Sequence, residues 1–329
     1  MRRAFHLAEH LLPPHHRRYP TSRSVRGSLC GHAAPITTFT LKSPAVPVTL
    51  PDGLSEAELL AFAPFNDWLR TLTRSLSRQR AAAGHPFAAD PYALRGIAVQ
   101  SYDWFGGRGG ARRLGFVKLA ADVANGAGEA LAGGVLLRGP SVAVLVVLAP
   151  DDGGDERYAV LTVQPRVAAG CLAFAELPAG MLDGGGSGSG ELAGAAAREM
   201  REELGLAIPA ADLRCLTDMA LAAATAADDD DDDDGSAPEH EHEHERLPPA
   251  VYPSPGACDE YVAIYAHERR VPRAQLREWA GRLTGRRDEG ERITLRLVPL
   301  RDLWREGARD AKCLAALALW EGLRREGRV

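Results

Sequence analysis

Eight consecutive apolar residues at 142–149 (VAVLVVLA) constrain this chain more than any other stretch. The run has the length of a buried strand and falls well short of the roughly 18 residues of a membrane span. Residues 97–103 and 114–121 read as strands on either side of a glycine-rich turn at 105–110 (FGGRGG), and 158–163, 170–177, 261–265 and 293–298 read as further strands. Gly139 and Pro140 break the apolar residues of 135–148 into two runs. Helices are expected over 54–80, with Pro64 splitting the run, over 191–204, ended by Gly205, and over 308–325, where Leu314, Leu317, Ala318 and Leu323 make an apolar stripe. Strands surrounding one central helix, with a second helix at the end, predict a mixed α+β sandwich rather than regular βαβ alternation.

At 329 residues the chain has room for one large domain or two small ones, and 45% apolar with 25% charged residues fits a globular protein. A net charge of −5 argues against nucleic acid as the main partner, because binding phosphates along a backbone needs an excess of Lys and Arg. The five cysteines lie far apart with no CxxC pair, which fits a reducing compartment better than a disulfide framework or a zinc site.

Composition divides the chain into segments. Residues 1–50 hold six arginines, one lysine and a single acid, Glu9, together with several Ser and Thr. That is the composition of an organellar transit peptide, expected to be disordered, with a plastid or a mitochondrion as destination. Residues 51–130 form an N-terminal subdomain and 131–325 the main domain. Within the latter, 226–248 contain seven consecutive aspartates and a Glu-His alternation, a segment expected to be disordered because it cannot bury a core.

The helix at 191–204 carries the chemistry. In REMREEL (198–204), Glu199 and Glu203 are four apart and share a face, and Glu202 lies near the same side. Ala195, Ala196, Ala197, Met200 and Leu204 make the opposite, apolar side. Carboxylates clustered this closely repel one another unless a cation compensates, and oxygen ligands at this spacing suit Mg²⁺, which takes a few carboxylates plus waters and substrate phosphates.

These residues resemble the Nudix box, Gly-x5-Glu-x7-Arg-Glu-U-x-Glu-Glu-x-Gly-U with U aliphatic. Gly180 fits the opening glycine, and Arg198, Glu199, Met200, Glu202, Glu203, Gly205 and Leu206 fit the second half. The middle departs from the pattern: ten residues separate Gly180 from Glu191 and six separate Glu191 from Arg198. Glu191, near a helix N-terminus that favours negative charge, is the substitute for the first glutamate. The segments GPSVAVLVVL, YAVLTVQPR, ELPAGMLD, YPSPGACDEYVAIY and ITLRLVPLRDLW follow the order of the ADP-sugar and ADP-ribose diphosphatase branch of these hydrolases. The similarity to its plant plastid members covers roughly 92–325.

The resemblance implies an α/β/α sandwich of mixed sheet with the box as a loop-helix-loop, beside an N-terminal β-rich subdomain of the kind used for dimerisation. It implies Mg²⁺, with Mn²⁺ as the alternative, held by Glu199, Glu203 and the Ala179 carbonyl, with Glu202 as a further or alternating ligand. Arg198 would support the loop by pairing with an acid. Glu291 would be the general base, with Glu289 as second choice. Arg166 would contact the diphosphate, Glu176 and Glu260 would help form the pocket, and Tyr102, Trp104 and Phe105 would reach an adenine across a homodimer interface. The implied activity is hydrolysis of ADP-glucose to AMP and glucose 1-phosphate, or of ADP-ribose to AMP and ribose 5-phosphate, without nucleic-acid or membrane partners. A Nudix hydrolase of NADH, coenzyme A or a diadenosine polyphosphate, and a non-catalytic nucleotide-sugar binding module, are the alternatives.

Overall fold

A computed structural model of the chain describes residues 37–81, 84–106, 112–182, 189–227, 247–286 and 291–329. The first sheet has five strands in the order β1 (Thr37–Thr40), β2 (Pro47–Leu50), β3 (Ala93–Phe105), β4 (Arg113–Ala124) and β5 (Gly134–Leu137). The β2–β3 pair is parallel and the others are antiparallel. Two helices pack on it, α1 (Glu56–Leu60) and α2 (Ala63–Ala81). Ser55 starts α1 in a capping box: its hydroxyl accepts the Glu58 N–H, and the Glu58 carboxylate accepts the Ser55 N–H at 2.9 Å. Pro64 falls at the start of α2, where a missing N–H is tolerated, so the expected split occurs there.

This sheet corrects the expected segmentation. Residues 37–50, expected in a disordered leader for their arginine-rich surroundings, instead contain β1 and β2, and Val48 and Leu50 are fully buried in the sheet core. The β-branched residues of TTFT and PVTL form the strands, and the composition of the residues before them says nothing about that. The subdomain also runs past 130, since β5 joins the same core through Leu137. Residues 1–36, including Cys30, lie outside the described residues, as do 107–110 of the expected turn.

The second sheet is mixed. Its main path is β10 (Arg214–Cys215), β11 (Val262–Val271), β6 (Ser141–Pro150), β7 (Tyr158–Arg166), β13 (Ile293–Pro299) and β12 (Leu283–Thr284). Two further strands attach at one end: β8 (Cys171–Glu176) pairs with β7, and the three-residue β9 (Ala179–Met181) pairs with β6. All ten residues of β6 are buried. Val142, Val144, Val146 and Leu148 face a layer containing α3 (Ser189–Leu204) and α5 (Arg273–Trp279). The alternate residues Ala143, Leu145 and Val147 face a layer containing α4 (Leu216–Ala227), α6 (Leu303–Glu306) and α7 (Ala311–Arg325). The apolar run is therefore the spine of an α/β/α sandwich, because a strand covered on both faces has no polar side to show.

Helix α4 begins from residues not expected to be helical and runs to Ala227, so the first two residues of the expected insert belong to a helix. Of the rest, 228–246 lie outside the described residues. Among the described residues no helix is long and apolar enough to cross a membrane, and Cys171, Cys215, Cys258 and Cys313 are free thiols.

Candidate active site

Helix α3 packs Ala195, Ala196, Met200 and Leu204 against β6, each at most 2% exposed. Burying side chains such as Met200 and Leu204 contributes about 1.5–3 kcal/mol each and fixes the roll of the helix. Gly205, in the left-handed conformation (φ 68°), ends it, with its N–H on the Arg201 carbonyl and the Leu206 N–H on the Met200 carbonyl. That roll determines the fate of the acids. Glu202 is exposed, Glu199 is half-buried, and Glu203 is buried against the sheet.

What Glu203 meets is a strap, residues 176–180, that runs from the end of β8 through Leu177 and Pro178 into the start of β9. Its Oε2 accepts the Ala179 N–H at 3.2 Å, and Gln164 of β7 approaches Oε1 at 3.5 Å. Burial, then the neighbouring charges of Glu199 and Glu176, push the Glu203 carboxyl up to about 8, against the opposing pull of the Ala179 N–H and Arg166. Gly180 is glycine for lack of space: a Cβ there would overlap the Glu199 carboxyl group. The box helix and the strap thus touch where the opening glycine of the motif meets its second-half glutamate.

The strap is anchored from three sides. The Val144 N–H donates to the Pro178 carbonyl at 3.0 Å, and the Leu177 N–H donates to Asp310 Oδ2 at 2.9 Å. Glu176, 4% exposed, is held through both oxygens: Arg166 Nε donates to Oε1 at 2.6 Å and Lys312 Nζ to Oε2 at 2.7 Å. Lys312 also donates to Asp310 Oδ1 at 2.9 Å. Burial alone would lower the Lys312 ammonium, but Asp310 and Glu176 outweigh it and raise it. Burial raises the Asp310 carboxyl, with Lys312 and the Leu177 N–H opposing.

Most of the expected site residues therefore converge. Glu176, Ala179, Gly180, Glu199, Glu203 and Arg166 form one group. Glu291 joins it indirectly: its Oε2 accepts the Arg286 N–H at 3.1 Å, and the Arg286 guanidinium stands 3.9 Å from Glu202. Glu289 lies outside the described residues. Glu260 is set apart, bonded to the Ser141 hydroxyl at 3.0 Å and paired with Arg138 at 3.3 Å. Glu191 lies exposed in the first turn of α3. Arg198 departs from expectation: it is exposed and pairs with no carboxylate among the described residues, and 183–188, just ahead of α3, lie outside them. Tyr102 is tied by its hydroxyl to the Asp52 carbonyl at 2.9 Å. Trp104 and Phe105 line a cavity of about 320 Å³ shared with Arg112, Arg138, Met181 and Leu182, and Arg112 stacks over Trp104 at 4.2 Å.

Gln164, Asp310 and Lys312 escaped the reading of the sequence. Lys312 carried a signal nonetheless. It is the second residue of α7, where the helix dipole disfavours a cation unless an acid compensates.

Among the described residues no three acidic, His or Cys side chains converge as a ready cation cage. The donors are all hard oxygens, and the buried Glu203 carboxyl is pushed up to about 8 by burial and by the crowding of Glu199 and Glu176. Such a set fits a divalent cation that takes part of its shell from water and substrate phosphates.

A model of the NUDIX domain matches residues 138–317. The chain belongs to the Nudix family. As a Nudix hydrolase it is 35% identical over 266 residues to Nudix hydrolase 14, chloroplastic, of Arabidopsis thaliana, covering 80% of this chain and 72% of that protein. Among solved structures, that of an ADP compounds hydrolase matches with a TM-score of 0.39 and 19% identity, over 72% of this chain and 99% of that one. The NUDIX match begins at Arg138, just before β6, so all five strands of the first sheet lie ahead of it.

Proposed function

We propose that this Nudix hydrolase is a Mg²⁺-dependent diphosphatase of ADP-sugars, with ADP-glucose and ADP-ribose as substrates. The observation that carries the reading is the junction of α3 and the strap, where Glu199, Glu203 and Glu176 crowd one backbone turn beside Arg166. Glu199, Glu203 and the Ala179 carbonyl would hold the cation, with Glu202 able to join them. A bound Mg²⁺ would neutralise diphosphate charge and activate water. Arg166, 42% exposed, presents a guanidinium suited to phosphate oxygens. Glu291 would take the proton of a water attacking one phosphorus. The P–O bond of the bridging oxygen breaks, and the two phosphates leave as AMP and a sugar phosphate. Trp104 and Phe105 would offer apolar faces to the adenine. A homodimer and a plastid address, the latter supported by the chloroplastic relative, belong to the same reading.

Incubation with ADP-glucose or ADP-ribose and MgCl₂ should release AMP and the matching sugar phosphate on ion-exchange chromatography, and excess EDTA should stop it. Absence of AMP from every nucleotide sugar would sink the proposal. Glu291→Gln should lower kcat by roughly 10²–10⁴-fold with little change in KM, the size expected for losing a general base. Wild-type kcat in that variant would move the role elsewhere.

A further inference from the structure

We propose that Lys312, supported by Asp310, is a positioning residue that keeps Arg166 available to the substrate diphosphate. The inference rests on the reading of Arg166 given above. Glu176 is buried and has two carboxylate oxygens to satisfy. Arg166 binds it side-on, through Nε to Oε1 only. Lys312, itself largely buried, occupies Oε2. A carboxylate with a free second oxygen takes an arginine in a forked, two-bond grip. Lys312 blocks that grip. The terminal amines of Arg166 are left on a half-exposed face beside Glu203, and among the described residues Glu176 is the only ion-pair partner Arg166 has.

The charges support the same assignment. Arg166, Glu176, Lys312 and Asp310 sum to zero, and the repulsion that Glu176 adds at Glu203 is opposed by the neighbouring Arg166. Without Lys312, Glu176 and Asp310 would share one half-exposed arginine, which would be drawn inward away from the position a phosphate needs. Asp310 is the support: one oxygen holds the Lys312 ammonium and the other holds the strap at Leu177.

The test is a double-mutant cycle on the full chain, with ADP as the probe, read by calorimetry in EDTA and by KM and kcat for ADP-glucose with Mg²⁺. Lys312→Met should weaken ADP binding about tenfold and raise KM in parallel, the loss expected for one charge-assisted hydrogen bond, with kcat little changed. In an Arg166→Ala background the same substitution should have almost no effect on ADP affinity, because the residue it serves is gone. Lys312→Arg, which still occupies Oε2, should restore most of the affinity. An ADP affinity within twofold of wild type in folded Lys312→Met, or an equal loss with and without Arg166, overturns the proposal. Should Lys312→Met not fold, Lys312→Met combined with Asp310→Asn, which removes the buried pair together, decides by the same two criteria. A wild type that neither binds ADP nor hydrolyses ADP-glucose sinks the reading of the site and this inference with it. A wild type that binds ADP while the variants bind it as tightly sinks the inference alone.

Discussion

Glu203→Gln should lower kcat on the order of a hundredfold or more while the protein folds normally. The amide occupies the same space and its oxygen can still accept the Ala179 N–H, so the strap stays seated. What disappears is the anionic ligand, and the stabilisation of developing phosphate charge goes with it. Stability should move the other way. The Glu203 carboxyl rises from its ordinary 4.5 to about 8 in the folded protein, chiefly through burial, so the folded state binds its proton more tightly than the unfolded chain does. Below the ordinary value both states are protonated and nothing is lost, and from there up to about 8 stability falls as pH rises. At about 1.4 kcal/mol per unit, the metal-free wild type gives up a few kcal/mol that the glutamine variant keeps. In EDTA the variant should melt higher than wild type at pH 8.5, with the gap closing toward pH 5. Adding Mg²⁺ should raise the Tm of wild type more than that of the variant. Equal melting at both pH values, or wild-type turnover, would remove Glu203 from the site.

Gly180→Ala should be nearly as damaging although it touches no charge. The added methyl group overlaps the Glu199 carboxyl, and Gly180 cannot retreat while its strand is paired to Val142. Either Glu199 swings out or β9 shifts, and both spoil the cation seat. Loss of kcat/KM by tenfold or more is expected, with little loss of stability, because the group displaced is the far end of the flexible Glu199 side chain. Gly194→Ala is the control. It lies on the same helix, where a Cβ would meet only the tip of Arg198, so a stability gain of about 0.5–1 kcal/mol and unchanged activity are expected. A Gly180→Ala enzyme with wild-type kcat/KM would show that Glu199 does not need its present position.

Local pattern made much of this legible. The unbroken apolar run became the central strand, and the Ala195–Met200–Leu204 stripe became the buried side of α3. From that stripe the side carrying Glu199 and Glu203 follows by helical spacing alone. Spacing did not show that Glu203 is buried and Glu202 exposed, since that depends on where the strap crosses the helix. β9 has three residues and α5 seven, too few to display a period. α4 is rich in alanine and abuts the aspartate run, so composition drew it toward the insert. β1 and β2 were hidden by their arginine-rich neighbours in the same way. The position of Lys312 marks it as needing an acid, but its partner Glu176 and that of Asp310, Leu177, were beyond reach for another reason: they lie 136 and 133 residues away, and no local rule spans that distance.

That separation has a bearing on synthesis. The motif that marks the family is complete once Leu206 has been added to the chain, yet the turn it works against is fastened by residues made a hundred positions later. A nascent or truncated chain ending before residue 310 would hold every carboxylate of the box, but Leu177 would lack its acceptor and Glu176 its buried cation. Docking of α7 therefore acts as a late assembly step for a site whose signature lies far upstream, and catalytic competence should appear only after the C-terminal helix has packed.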